Sequence, residues 1–349
     1  MLVRRGALND VSSTGTAAEH TVAGVDMGDA DLAAAVRSGL DRVEQLLRDE
    51  LGSGEQFVAE IALHLVNAGG KRYRPLVTLL CAQLGPEPDS ADAVTAAAVV
   101  ELIHLATLYH DDVMDEATMR RGAVSANARW DNSAAILTGD FLFAHASRLV
   151  SQLGPEAVRI IADTFAELVT GQMRETVGVR SGEDPVAHYL SVVAEKTGSL
   201  IATSGRYGGM FSGADPEQVE RLRRLGESLG TAFQISDDII DISSVSAESG
   251  KVPGTDLREG VHTLPVLLAL ADSGADAERL RELLAGPVTD DAALAEALML
   301  LGRSPGLAEA KRTLAGYASA AHAELDRLPE VPARAALQRL VDYTVARTA

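Results

Sequence analysis

The chain has 349 residues, of which 46% are apolar and only 4% aromatic, and its formal net charge is −19. That acidity, with no basic stripe, excludes nucleic acid as an expected partner. A single cysteine, Cys81, rules out an internal disulfide. With no signal-type apolar run at the N-terminus and no uninterrupted apolar stretch of about 18 residues, a cytoplasmic protein without a transmembrane segment is expected.

In chain order, residues 1–28 mix Gly, Ser, Thr, Ala and Asp without a period and read as a disordered N-terminal extension. Residues 29–349 show no linker and read as one domain. Alternation with period two is scarce, so the domain reads as all-α. Helices are expected over Asp29–Leu51 and Gln56–Asn67, then from Pro75 after the Gly69-Gly70 break. Gly85-Pro86-Glu87-Pro88 is a loop. Val94–Tyr109 is apolar nearly all round, as a helix buried on every side would be. Further helices are expected near Ser133–Gln152, Glu156–Val179 and Pro185–Gly205. Asp184-Pro185 and Asp215-Pro216 each pair an N-cap with a proline in the first turn. Residues 247–262 read as a Gly-rich polar loop, and Pro332 opens the last helix.

Two acidic clusters stand out against this frame. Asp111, Asp112 and Asp115 close the apolar helix, and residues four apart on a helix share a face. Arg120 and Arg121 follow within two turns. Asp237, Asp238 and Asp241 repeat the pattern late in the chain. Carboxylates so crowded repel one another, and a hard divalent cation such as Mg2+ would offset them. Two such clusters facing each other across a cavity could hold a diphosphate. Only four lysines occur, Lys71, Lys196, Lys251 and Lys311. The first three lie in Gly69-Gly70-Lys71-Arg72-Tyr73-Arg74-Pro75, in Lys196-Thr197 and in Gly250-Lys251, where a compact point charge could meet phosphate.

These motifs, in this order, resemble the trans-isoprenyl diphosphate (polyprenyl) synthases over roughly residues 30 to 349. The resemblance implies a helical bundle around a central cavity, with both acidic clusters at its mouth. It implies a homodimeric transferase that condenses isopentenyl diphosphate with an allylic primer, farnesyl or geranylgeranyl diphosphate. By its motifs, Lys71, Arg74, His104 and Arg121 would hold isopentenyl diphosphate. Arg120, Lys196, Thr197, Gln234 and Lys251 would hold the allylic diphosphate. Asp111, Asp112, Asp115 and Asp237 would carry magnesium, with Asp238 and Asp241 beside them. His262 stands where many members have lysine or arginine.

Ala106 and Thr107 lie about 6 to 7.5 Å back along the helix from Asp111, at 1.5 Å per residue. The resemblance makes them the first side chains able to floor a product channel, with Ile103 one turn further. Both are small, so the expected product is long: hexaprenyl to decaprenyl, best heptaprenyl to nonaprenyl, serving as a quinone side chain or another lipid. The alternatives are a geranylgeranyl or farnesyl diphosphate synthase, a terpene cyclase of the same fold, a non-catalytic partner subunit, or a histidine–aspartate phosphohydrolase suggested by His104 and His110-Asp111. The last leaves the second acidic cluster and the lysines unexplained.

Overall fold

Side-chain caps mark where several of the long helices begin. In a computed structural model that describes residues 20–243 and 253–348, Asp29 accepts from the Leu32 amide and starts α1 (Ala30–Gly52). Ahead of it lies a small hairpin, β1 (Thr21–Val22) and β2 (Val25–Asp26). This corrects the expectation of a structureless segment up to residue 28. Val22, Val25 and Met27 are buried, giving the hairpin an apolar underside. Residues 1–19 lie outside the described residues.

After α1 the chain forms α2 (Gln56–Ala62) and α3 (His64–Asn67), where one helix was expected. The break falls at Leu63. The helix α4 (Tyr73–Ala82) then enters through Arg72, whose backbone is left-handed at φ +47°. Next comes α5 (Ala91–Met114), capped by Ser90, which is longer than the expected Val94–Tyr109. By length and composition it could cross a membrane, but 67% of its apolar window is buried inside the bundle. It packs along α1 and α4 and, later in the chain, along α7 and α10.

A hairpin, β3 (Met119–Arg120) and β4 (Ala123–Val124), leads to α6 (Ala126–Arg129) and α7 (Asn132–Ser151). Then follow α8 (Pro155–Val177) and α9 (Pro185–Val193), each opened by its proline. A π-helical segment, Ala194–Gly198, joins α9 to α10 (Ser199–Phe211), so the stretch expected as one helix carries an extra residue in one turn.

The long α11 (Pro216–Ser243) lies against α10 so closely that a methyl group on Gly226 would run into the Ile201 carbonyl. Within the segment expected to be loop, Thr255–Glu259 forms α12. The remainder is α13 (Leu264–Leu270), α14 (Ala275–Leu283), α15 (Asp291–Gly302), α16 (Pro305–Leu325) and α17 (Pro332–Ala346). The chain ends meet: Arg339 on α17 donates to the Asp26 and Met27 carbonyls beside the first hairpin. Lys311, the lysine outside the motifs, donates to the Thr348 carbonyl at 2.6 Å. The described chain is thus all-α apart from two hairpins.

Candidate functional site

Asp111 sits in the last turn of α5, and Asp115 is the C-cap, its amide bonded to the Asp111 carbonyl at 2.8 Å. The Asp115 charge acts on the Asp111 carboxyl across that turn. Asp112 does not share their face. It is fully buried, its Oδ1 accepts from Arg120 Nε at 2.6 Å, and Asn127 holds its carbonyl. The other Asp112 oxygen, Oδ2, is buried without a partner. Burial pushes the Asp111 carboxyl up to about 6, and the Lys196 charge pulls against that rise.

Arg120 and Arg121 belong to the β3–β4 hairpin. Its two-residue turn, Arg121-Gly122, has φ +53° and +75°, the pattern that matches strand twist in tight hairpins. A left-handed arginine costs about 1–2 kcal/mol, and its side chain makes the contacts that hold it there. Arg121 Nη1 donates to the Leu65 and Gly69 carbonyls at 3.1 and 2.6 Å, and Nη2 lies 3.7 Å from Glu101. Gly70 must lack a side chain here: its φ is +137°, and a Cβ would sit 3.0 Å from the Arg121 guanidinium carbon. Beside it, Lys71 is exposed and Arg74 is half-buried. Arg74 Nε is buried with no hydrogen-bond partner, and desolvation brings this guanidinium down to about 10. His104 lies on α5 among Arg74, Arg121, Arg120 and Arg72.

Lys196 and Thr197 sit in the π segment. Gly171 on α8 lets this segment approach, since a Cβ there would lie 2.8 Å from the Lys196 amide nitrogen. Lys196 Nζ contacts Glu175 at 2.5 Å, and Thr197 Oγ1 lies 3.3 Å from Gln234. On α11, Arg347 contacts Asp237, and its guanidinium carbon lies 5.0 Å from the centre of the Phe233 ring. Tyr189 and Gln234 donate to Asp238, whose carboxyl burial pushes up to about 6. Asp241 accepts from the Thr255 and Asp256 amides at the start of α12, both at 3.2 Å. The second cluster is therefore engaged with its neighbours, whereas no hydrogen bond reaches the Asp111 carboxylate among the described residues.

The two clusters share one electrostatic neighbourhood. Glu259 on α12 is held above the ordinary carboxylate range by desolvation and then by both Asp115 and Asp241. Among the described residues no three acidic, histidine or cysteine side chains form a ready-made metal cage. An all-oxygen donor set with an orphaned Asp112 Oδ2 nevertheless suits a hard cation that shares its shell with water and phosphate. Asp111 and Asp115 are the donors that fit as they stand, whereas Asp112 is turned to Arg120 and Asp237 to Arg347. Lys251 lies outside the described residues. His262 Nε2 is 3.1 Å from the Leu284 carbonyl. Below the acids, Ala106 and Ile103 are buried at 2% and 1% exposure, while Thr107 keeps accessible surface.

Sequence reasoning passed over Glu101, Glu175, Tyr189, Glu259 and Arg347. Glu101 carried a signal: it is a charged residue inside an otherwise apolar helix, three positions before His104. The others are recognisable only through contacts across the fold.

Burial and the surrounding arginines hold the His104 imidazole well below its ordinary 6.5. Its unfolded counterpart binds a proton more readily, so stability from neutral His104 is present above pH 6.5 and is lost as pH falls below it. The slope should approach about 1.4 kcal/mol per pH unit. His104→Gln should flatten that part of the profile in denaturant titrations between pH 7 and 5. Equal slopes in the two proteins would refute a buried neutral histidine.

A family model described as Polyprenyl synthetase matches residues 55–301. The chain is 66% identical over 326 residues to nonaprenyl diphosphate synthase of Mycobacterium tuberculosis, covering 93% of this chain and 97% of that one. It is 49% identical to a dimethylallyltranstransferase of the same organism, covering 92% and 98%. Among solved structures it is similar to geranylgeranyl pyrophosphate synthase from Corynebacterium glutamicum complexed with calcium and isoprenyl diphosphate. That likeness has a TM-score of 0.85 at 52% identity, covering 92% of this chain and 99% of that one.

Proposed function

This chain belongs to the polyprenyl synthetase family, and from that premise we propose how its site works and what length of product it makes. It is a transferase, a polyprenyl diphosphate synthase that adds isopentenyl diphosphate to an allylic diphosphate. The observation that carries the reading is that Glu259 feels both Asp115 and Asp241, which puts the two acidic clusters near one another, with the Lys196 and Arg120 charges acting on Asp111.

Bound Mg2+, held by Asp111, Asp112, Asp115 and Asp237 with Asp238 and Asp241 behind, would supply Lewis-acid neutralisation of the departing diphosphate. Lys196 and Arg120 meet that diphosphate from the protein side, with Thr197 and Gln234 beside them, and Lys251 is assigned to it by the family motif alone. Lys196 is first released from Glu175 by the stronger pull of phosphate oxygens. Lys71, Arg74, His104 and Arg121 hold the diphosphate of isopentenyl diphosphate. The unpartnered Arg74 Nε and the neutral His104 leave donors for it. The allylic carbon–oxygen bond breaks, the isopentenyl double bond forms the new carbon–carbon bond, and a proton passes to the released diphosphate. No side-chain nucleophile is required. Positioning and electrostatic stabilisation supply the catalysis.

The product range we favour is heptaprenyl to nonaprenyl, made from a farnesyl or geranylgeranyl primer. The 66% identical relative bears the name of a nonaprenyl synthase, and no bulky ring stands at Ala106, Thr107 or Ile103. Incubation with labelled isopentenyl diphosphate, farnesyl diphosphate and magnesium should yield a labelled prenyl diphosphate of that length. Absence of any extractable prenyl product would sink the reading. Thr107 keeps accessible surface, so Thr107→Phe should shorten the product toward geranylgeranyl diphosphate. Ala106→Phe should do the same, with added overpacking strain. A well-folded Thr107→Phe enzyme with the wild-type product would move the channel floor elsewhere.

A homodimer is supported by an exposed apolar face on α7 and α8. Leu137, Met173 and Val177 are 66%, 63% and 68% exposed. These helices are joined by a tight turn and run antiparallel, with Phe143 and Phe165 in ring contact at 4.5 Å. A cytoplasmic location is consistent with this reading.

A further inference from the structure

We propose that Glu101, in the middle of α5, is the positioning residue of the isopentenyl diphosphate subsite, fixing the Gly69–Arg74 loop and the β3–β4 hairpin on one buried carboxylate. The inference rests on the substrate assignment given under Proposed function.

Glu101 is 1% exposed, a charge within the apolar middle of α5. Its Oε1 accepts from Arg72 Nη1 at 3.1 Å and lies 3.7 Å from Arg121 Nη2. Those two arginines come from different segments, and both have left-handed backbones, at φ +47° and +53°. Each reaches back to the same chain end: Arg72 Nη2 donates to the Val66 carbonyl at 2.8 Å, and Arg121 Nη1 donates to the Leu65 and Gly69 carbonyls. They cap the C-terminal carbonyls of α3, where cations are favoured. Two strained, like-charged residues this close need a shared counter-charge to persist.

Glu44 offers a second carboxylate to Arg72, but Glu44 is 23% exposed and contacts only that one of the pair. Burial lowers the Arg72 proton affinity, and the bond to Glu44 and the Glu101 charge more than offset it. Glu101 is also the leading charge that supports Arg74 against desolvation. The consequence for binding is geometric. Glu101 and His104 are three residues apart on α5, about 4.5 Å along the axis at 1.5 Å per residue. The carboxylate therefore sets where Arg121 and the Lys71–Arg74 loop stand relative to His104. Glu101 touches no substrate; it holds the groups that do.

Glu101→Gln keeps the shape and removes the charge. It should raise KM for isopentenyl diphosphate about tenfold or more, as small misplacements of binding groups do. KM for the allylic primer should stay within about twofold and kcat within about threefold. Glu101→Asp keeps the charge but draws it back by a methylene, and should give an intermediate rise. Lys71→Ala is run alongside to test the substrate assignment itself. If Lys71→Ala leaves KM for isopentenyl diphosphate unchanged, that assignment fails and the proposal falls with it. If Lys71→Ala raises it and Glu101→Gln does not, only the positioning role is overturned. Equal loss for both substrates, or failure of both Glu101 variants to fold, would also overturn the proposal, leaving Glu101 a purely structural ion.

Discussion

Asp111→Ala should reduce turnover by roughly a thousandfold or more, and Asp237→Ala should do the same, with the helical fold retained in both. Neutralising a departing diphosphate is worth several kcal/mol, and each 1.36 kcal/mol is about tenfold in rate. The two variants should differ in stability. No hydrogen bond reaches the Asp111 carboxylate among the described residues, and its burial disfavours the ionised form, so its removal should leave the metal-free melting temperature unchanged or higher. Asp237 is paired with Arg347, whose Nη1 is buried without a hydrogen bond, so its removal should lower it. Single-turnover rates with labelled isopentenyl diphosphate, beside thermal melts by circular dichroism, decide both points. Near-normal turnover in either variant would rule out two cooperating acidic clusters.

The same chemical change, glycine to alanine, should act in opposite directions at two helical sites. Gly226→Ala puts a methyl group against the Ile201 carbonyl and within 2.8 Å of the Ala202 Cα. Neither neighbour is a flexible side-chain end, so α10 and α11 must separate. Overpacking of this kind costs about 1–3 kcal/mol and sometimes more. Those helices carry the π segment's continuation and the second acidic cluster, so activity should fall together with stability. Gly316, inside α16, has nothing within 4 Å of the position its Cβ would take. Alanine there should stabilise by about 0.5–1 kcal/mol through helix propensity alone. Denaturant midpoints at constant slope separate the two cases. A Gly226→Ala protein as stable as the parent would show that the helix pair can open without loss.

Much of the helical framework is legible from local signals. Asp-Pro pairs and Asp29 mark helix starts because a cap and its amide lie within three residues. The acidic clusters are legible because their spacing is itself the message, and the Lys196-Thr197 pair stands out through the rarity of lysine and the family resemblance. What local pattern cannot show is which partner each acid already has. Asp112 looks equivalent to Asp111 by spacing, yet it turns inward to Arg120; Asp237 meets an arginine 110 residues away. The first hairpin is invisible to composition, because the polar residues around it hide two buried valines and a methionine that pack against a distant part of the chain. The π segment escaped because one extra residue barely disturbs an apolar pattern.

That extra residue has a consequence for the phase of the helix. Each residue of an α-helix turns the chain by about 100°, so an insertion rotates everything before it relative to everything after. Upstream, Tyr189 on α9 points to Asp238; downstream, Gly205 and Gly209 on α10 meet Leu222 of α11. A single unbroken α-helix would satisfy one of these alignments and turn the other away by more than a quarter of a turn. Deleting one residue within 194–198 should therefore leave a good helix in the wrong rotational setting. A chain lacking that residue would have to recover the rotation elsewhere in the helix, because the unit of change is an angle as well as a length.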